Sequence, residues 1–343
     1  MKQARRHFLQ TATTALLAVP LISFRAVEQQ RRPLPALKPR ALKKGDTIAI
    51  TSPAGAIWDN RQTDLFVSIL QNLGFKVKKG QTLSEHFGYF AGTDELRANE
   101  LNAFFADPEV NAIFCAKGGW GCARLLPMLD FNSIAAHPKI LMGFSDITSL
   151  LIAIQAKTGL VTYHGPVGNS GWNDFTMGYF KQVLMDARLV TFFPSGKTED
   201  LPLVLTPGIV SGTLCGGNLS VLTGMMGSDY LPDWKNKILF LEDTGEEPYR
   251  IDRMLTQLKL CGVLQNLKGF VFGKCVKCMA EEPDKAFTFQ QVLEQHIKPL
   301  GIPSFAGAMI GHIENKFTLP IGIEAQLDAE KGILTLLEAA VNG

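Results

Sequence analysis

The run KILMGFSDITSLLIAIQ, residues 139–155, decides the fold. Its first half is strand-like, an apolar stretch that ends at Phe144, and its second half, from Ile147, is helix-like. Ser145 and Asp146 stand at the junction. A serine there has two readings, a nucleophile on a sharp turn or the cap of the helix, and the local residues permit both. Gly143 matches the first glycine of the G-x-S-x-G elbow, whereas Ile147 occupies the place of the second.

The same alternation extends to either side. DTIAITSPAG (46–55) is a buried-strand run ending in a turn, and NRQTDLFVSILQNLGF (60–75) is an amphipathic helix closed by Gly74. TDELRANELNAFFADPEV (93–110) is a helix opened by a threonine cap with acids in its first turn, and NAIFCAKGGWG (111–121) is a strand running into glycines. Strand and helix alternate from about 46 to 165, which predicts an N-terminal α/β domain, 45–167, with a parallel sheet covered by helices. The pattern breaks over 168–204, a connection with one weak helix. Beyond it, 205–343 has shorter strands, more turns and two clear helices, YRIDRMLTQLKLCG and FTFQQVLEQHIKPLG, so a C-terminal β-rich, barrel-like α+β domain is expected.

The first 26 residues differ in kind. Arg5 and Arg6 precede Phe8 and Leu9 and then a modest apolar stretch, the layout of an export signal. RRHFLQ resembles the twin-arginine signal, with Ala4 and Gln10 as departures and no clean A-x-A site after it, so a periplasmic location is expected. A Pro- and charge-rich linker, 27–44, follows. Residues 1–45 hold 10 Lys/Arg against 1 Glu, a net of +9, so of the chain's total of +2 the body 46–343 carries −7. A mildly acidic body argues against nucleic acid as a partner. It contains no apolar run of membrane length, so no stable membrane insertion of the mature chain is expected.

A nucleophilic serine needs a base and a carboxylate to orient it. Of six histidines, His7 lies in the leader, His86 and His137 in polar surroundings, and His296 on a helix surface. His164 in TYHGP and His312 in IGHIENKFTLPIG sit beside glycine at the end of apolar runs and remain as candidates. Glu242 is the first polar residue after ILFL. Asp243 through Glu247 read as a solvated turn capping the next helix, a reading accepted for Glu246 and Glu247. Gly118, Gly119 and Gly121 follow a strand and fit either an ordinary tight turn or a backbone anion site. Neither G-x-G-x-x-G nor G-K-[ST] is satisfied there. Of the six cysteines, Cys275 and Cys278 form a lone C-x-x-C without a second half, so no metal and no other cofactor is expected.

Six segments, in order, carry a more specific signal: the stretch from Tyr89 to Phe131 around AKGGWGC, LMGFSDITSLL, TYHGP, GTLCGGNLSVL, LFLEDTGEEPYRIDRMLTQL and GHIENKFTLPIG. Together they resemble the LD-carboxypeptidase family of serine peptidases, which includes the enzymes of microcin C immunity. The likeness covers about residues 42–340. It implies a two-domain fold and a Ser-Glu-His triad of Ser145, Glu242 and His312. It also implies an oxyanion hole made by the backbone N–H of Asp146 and of Gly118 or Gly119. Lys117 stands where the family has arginine and Trp120 where it has tyrosine. The implied substrate is a murein tetrapeptide, cut between the L-centre of a diamino acid and a terminal D-alanine. A homodimer is implied as well. The alternatives are a related hydrolase of another peptide-like amide and a wall-fragment binding protein with a dead site.

Overall fold

A computed structural model describes residues 34–194 and 201–343. The export signal expected at 1–26 and the first part of the linker lie outside the described residues.

The first half runs β1 (Thr47–Thr51), α1 (Asn60–Asn72), β2 (Lys76–Lys79), α2 (Asp94–Ala106), β3 (Ala112–Cys115), α3 (Phe131–Ala136), β4 (Ile140–Gly143), α4 (Thr148–Thr158) and β5 (Thr162–His164). Local chemistry sets these limits. Asp59 caps α1 by accepting from Arg61 N, and Thr63, Phe66 and Leu70 form its buried stripe. The chain leaves α1 through Gly74 at φ +91°, which a side chain would resist. Thr93 caps α2 and accepts from Leu96 N, with Asp94 and Glu95 favourably placed in the positive first turn.

The second half contributes α5 (Asp174–Leu184), β6 (Thr191–Phe192), β7 (Leu203–Thr206), β8 (Ile209–Asn218), α6 (Leu219–Gly224), β9 (Lys237–Thr244) and α7 (Pro248–Leu260). It continues with β10 (Gly269–Val276), α8 (Phe289–Ile297), β11 (Ser304–Ala306), β12 (Leu319–Ile321), β13 (Glu324–Asp328) and β14 (Ile333–Leu336). Two sheets result. The first has the order β12-β5-β4-β3-β1-β2 and is parallel except for β12. Its outer strand β2, KVKK, puts lysines on the open edge, where they discourage pairing with another chain. The second sheet, β6-β14-β13-β8-β9-β10-β11-β7, is mixed and curls into a half-barrel. The fold is thus an α/β sheet domain joined to a β-rich one, but the chain does not divide cleanly. β12, inside T-L-P-I-G, returns from the second half to pair antiparallel with β5, Leu319 opposite His164.

The two sheets meet closely. Asn218 N at the end of β8 donates to Thr148 Oγ1 at the start of α4, 3.0 Å away. A Cβ on Gly217 would come within 2.5 Å of that same oxygen, so only glycine allows this approach. The ends of β4, β8 and β9 are thereby brought together.

Two expectations change. His296 is not a surface residue: it lies in the seam between α8 and α7, where Nε2 meets Asp252 Oδ1 at 2.7 Å and only 12% of the side chain is exposed. The periodicity of one helix does not reveal which neighbour covers it. Asp243 is buried rather than solvated, and α7 starts without any side-chain cap. Cys275 and Cys278 are joined by a disulfide at the end of β10. Among the described residues, no helix is long and apolar enough to cross a membrane.

Candidate active site

β4 is fully buried and delivers Ser145 to the interface of the two sheets. Ser145 has φ +63°, a left-handed conformation that costs a non-glycine residue roughly 1–2 kcal/mol. The missing second elbow glycine has a physical explanation. Ile147 is buried over Gly143, where an added Cβ would approach the Ile147 side chain to 2.9 Å and Cys115 Cβ to 3.1 Å. One glycine beneath the turn therefore suffices. Neither Ser145 nor Asp146 caps α4. The short 3-10 turn Ser145–Ile147 runs directly into the helix, and the position before it, Ile147, makes no side-chain cap bond. The Asp146 carboxylate instead accepts from Cys122 N at 2.8 Å, tying the serine turn to the end of the glycine loop. Burial raises the Asp146 carboxyl above its ordinary range, partly offset by the hydrogen bond from Cys122.

The loop between β11 and β12 brings His312 over the serine. His312 Nδ1 lies 2.8 Å from Glu242 Oε2, and Nε2 lies 3.2 Å from Ser145 Oγ. With Nδ1–H donating to the carboxylate, Nε2 is left to accept the serine proton. Gly311, at φ +114°, has to be glycine: a Cβ there would sit 2.8 Å from Glu242 Oε2. Glu242 is fully buried on β9. Burial pushes its carboxyl up, yet the hydrogen bond and charge of His312 outweigh burial and hold it below the ordinary range. Among the described residues its second oxygen, Oε1, has no hydrogen-bond partner; the Asn218 amide nearby donates to Asp243 Oδ1 instead, at 3.1 Å.

The other histidine candidate, His164, lies beneath the site rather than in it. It is buried between the rings of Phe144 and Phe240, 5.9 and 5.4 Å away, and burial pushes its pKa down to about 4. It is a neutral core histidine.

The glycine loop passes directly beside the serine. A Cβ on Gly118 would lie 2.9 Å from Ser145 Cβ and 3.1 Å from Oγ. No hydrogen bond among the described residues consumes the N–H of Gly118 or Gly119, whereas Gly118 O accepts from Gly55 N at 3.1 Å and fixes the loop. Lys117 turns away from the site, donating to Ala56 O at 2.9 Å. The arrangement offers a backbone anion site next to a hydroxyl, a base on the hydroxyl, and a carboxylate on the base.

These groups open onto a pocket of about 640 Å³ whose lining includes Gly119, Trp120, Ser145, Asn218, Asp243 and His312. Sequence reasoning missed Asn218 and Asp243. Asp243 accepts from Asn218 Nδ2, Ser220 N at 2.8 Å and Thr244 N at 2.8 Å; burial lifts its pKa to about 6 against those bonds. The signal for Asn218 was its place after the paired glycines at the end of β8. Among the described residues, no group of three or more His, Cys, Asp or Glu side chains is placed to hold a metal ion.

Comparison with known proteins agrees with this architecture. The profile of the LD-carboxypeptidase N-terminal domain matches residues 48–165, and that of the LD-carboxypeptidase C-terminal domain matches residues 211–327. The probable murein peptide carboxypeptidase of Bacillus subtilis is 40% identical over 313 residues, covering 89% of this chain and 95% of that protein. The crystal structure of a muramoyltetrapeptide carboxypeptidase from Oxalobacter formigenes is similar with a TM-score of 0.74 and 30% identity, over 84% of this chain and 97% of that one. The structure of MccF in complex with glutamyl sulfamoyl guanosine gives a TM-score of 0.82 at 26% identity, over 89% of this chain and all of that one. The chain belongs to the LD-carboxypeptidase family and is a serine-type carboxypeptidase.

Proposed function

We propose that this carboxypeptidase releases the terminal D-alanine of murein tetrapeptides through an acyl-enzyme. The observation that carries the reading is the continuous hydrogen-bonded series Ser145–His312–Glu242, at 3.2 and 2.8 Å. His312 Nε2 takes the proton of Ser145 as Oγ attacks the carbonyl carbon of the L-centre residue. Glu242 fixes the imidazole tautomer and stabilises the imidazolium that forms. The N–H groups of Asp146 and of Gly118 or Gly119 receive the oxyanion, each such donor being worth roughly 3 kcal/mol of barrier in hydrolases of this type. The imidazolium protonates the departing D-alanine amine, and water, deprotonated by His312, then frees the acyl group and restores the serine. The leader with Arg5 and Arg6 supports export by the twin-arginine route to the periplasm, where the wall is at hand.

The test is digestion of tetrapeptide muropeptides with measurement of free D-alanine. Wild type releases it and Ser145→Ala does not. Release by Ser145→Ala would remove the serine from the mechanism. Binding without cleavage by wild type would make the protein a wall-fragment binder. A second reading, hydrolysis of another peptide-like amide, draws on the likeness to MccF. It predicts cleavage of a sulfamoyl-nucleoside amide with the muropeptide left intact.

A further inference from the structure

The pocket holding Ser145 does not end at Trp120. A second cavity of about 710 Å³, lined by Tyr89, Phe90, Trp120, Gly121, Ala123 and Arg124, shares Trp120 and Ala123 with the first. Its walls are unusual for a water-facing surface: Trp120 is 68% and Tyr89 62% exposed. Their rings stand 6.0 Å apart at 71°, forming an open corner. Large aromatics left in water beside a reaction pocket mark a binding surface.

The corner is held rigidly. Phe87 and Phe90 exchange backbone hydrogen bonds of 2.9 and 3.0 Å, and Tyr89 O accepts from Ala56 N at 3.0 Å. The Phe90 ring supports Tyr89 from 4.4 Å, edge-on, and carries the Arg97 guanidinium 4.6 Å above it. Gly121 leaves room for Phe90, since a Cβ there would come within 2.4 Å of the ring. Little ordering entropy remains to be lost when a ligand enters. At the rim, Arg124 pairs with Asp94, which also pairs with the buried Arg97.

We propose that the Tyr89–Trp120 corner is a saccharide subsite that takes the muramoyl sugar of the substrate; the inference rests on the D-alanine-releasing function proposed above. Four considerations select this occupant. The axial C–H groups of a pyranose present an apolar face that matches an exposed ring. Arg124, half exposed at the rim, is a cation that suits a glycopeptide bearing carboxylates. The corner is continuous with the pocket in which the peptide would be cut. The reach also agrees: three residues of stem peptide between scissile bond and sugar span about 10 Å. Trp120 follows by two residues the glycine beside Ser145, a backbone reach of at most about 7 Å to which its own side chain adds.

The experiment compares muramoyl-tetrapeptide with the free tetrapeptide as substrates of the full chain, wild type, Tyr89→Ala and Tyr89→Phe. The wild type is expected to prefer the muramoyl substrate by about tenfold in kcat/KM, equivalent to ~1.4 kcal/mol. Tyr89→Phe, which keeps the ring, retains the preference; Tyr89→Ala reduces it to about twofold or less. No preference in the wild type, or one that survives Tyr89→Ala, overturns the saccharide subsite while leaving D-alanine release standing. If neither substrate is cleaved, the proposed function fails on its own. N-acetylmuramic acid then decides the subsite: saturation-transfer NMR showing contact with wild type and none with Tyr89→Ala supports it, and no contact with wild type overturns it. An unchanged preference together with loss of a dimer in Tyr89→Ala, read by sedimentation, assigns the corner to self-association and overturns the proposal.

Discussion

Replacing Gly118 by alanine tests the geometry of the site at its tightest point. Gly118 is outside the left-handed region, so its backbone accepts alanine. The effect must therefore come from contact alone. The new methyl group would lie 2.9 Å from Ser145 Cβ and 3.1 Å from Oγ, so one partner has to move by several tenths of an ångström. Ser145 is fixed by the buried β4 and by its left-handed turn, and its hydroxyl is already 3.2 Å from His312 Nε2, toward the long end of a hydrogen bond. Movement of the serine breaks that bond; movement of the loop withdraws a donor of the proposed oxyanion hole. Either loss is worth about 3 kcal/mol of barrier, roughly a hundredfold or more in kcat. Overpacking costs the fold about 1–3 kcal/mol, a few degrees of Tm. Steady-state D-alanine release and a thermal melt measure the two effects. A kcat within about threefold of wild type would refute the argued contact and, with it, the role of this loop in holding the oxyanion. Gly119→Ala provides the contrast: at φ +131°, with its Cβ 2.8 Å from Gly55 N, it is expected to lower stability first.

Three further outcomes follow from the same geometry. Glu242→Gln presents an amide to His312 Nδ1, favours the wrong tautomer and is expected to lower kcat about 10³–10⁴-fold, with the fold intact by circular dichroism. Urea unfolding across pH separates the two buried titrating groups. His164 is held at about 4 instead of 6.5, so its stabilisation, ~3 kcal/mol, is present above pH 6.5 and lost as pH falls through 4. Asp243, held at about 6 instead of 3.8, contributes stability that is present below pH 3.8 and lost as pH rises through 6. The stability gap between wild type and variant should accordingly grow with pH for His164→Asn and shrink with pH for Asp243→Asn; two flat gaps would contradict the burial argument. Asp146→Ala orphans Cys122 N and is expected to cost about 1–3 kcal/mol, whereas Asp146→Asn, which keeps an acceptor, loses much less in the same unfolding assay.

The alternation of strands and helices over residues 46–165 was legible in the chain because hydrophobic spacing, caps and terminal glycines are local. Thr93 and Gly74 act where they stand, without reference to distant residues. The placement of β12 was not legible: T-L-P-I reads as a short apolar strand that could pair anywhere, and only the packing of the two halves puts it beside β5. The left-handed turn at Ser145 was equally hidden, since serine carries no signature of positive φ as glycine does. The pairing of Glu242 with His312, 70 residues apart, came from likeness to a family; no local pattern states it. Adjacent side chains on a strand point to opposite faces, so the pair Glu242–Asp243 on β9 could be divided into a partner of His312 and an acceptor for Asn218 and Ser220 only by the curl of the second sheet. The sequence by itself thus determined the elements and the kinds of residue at their ends. Which ends meet, and which oxygen faces which nitrogen, was decided by tertiary packing, because those contacts join positions that no local interaction connects.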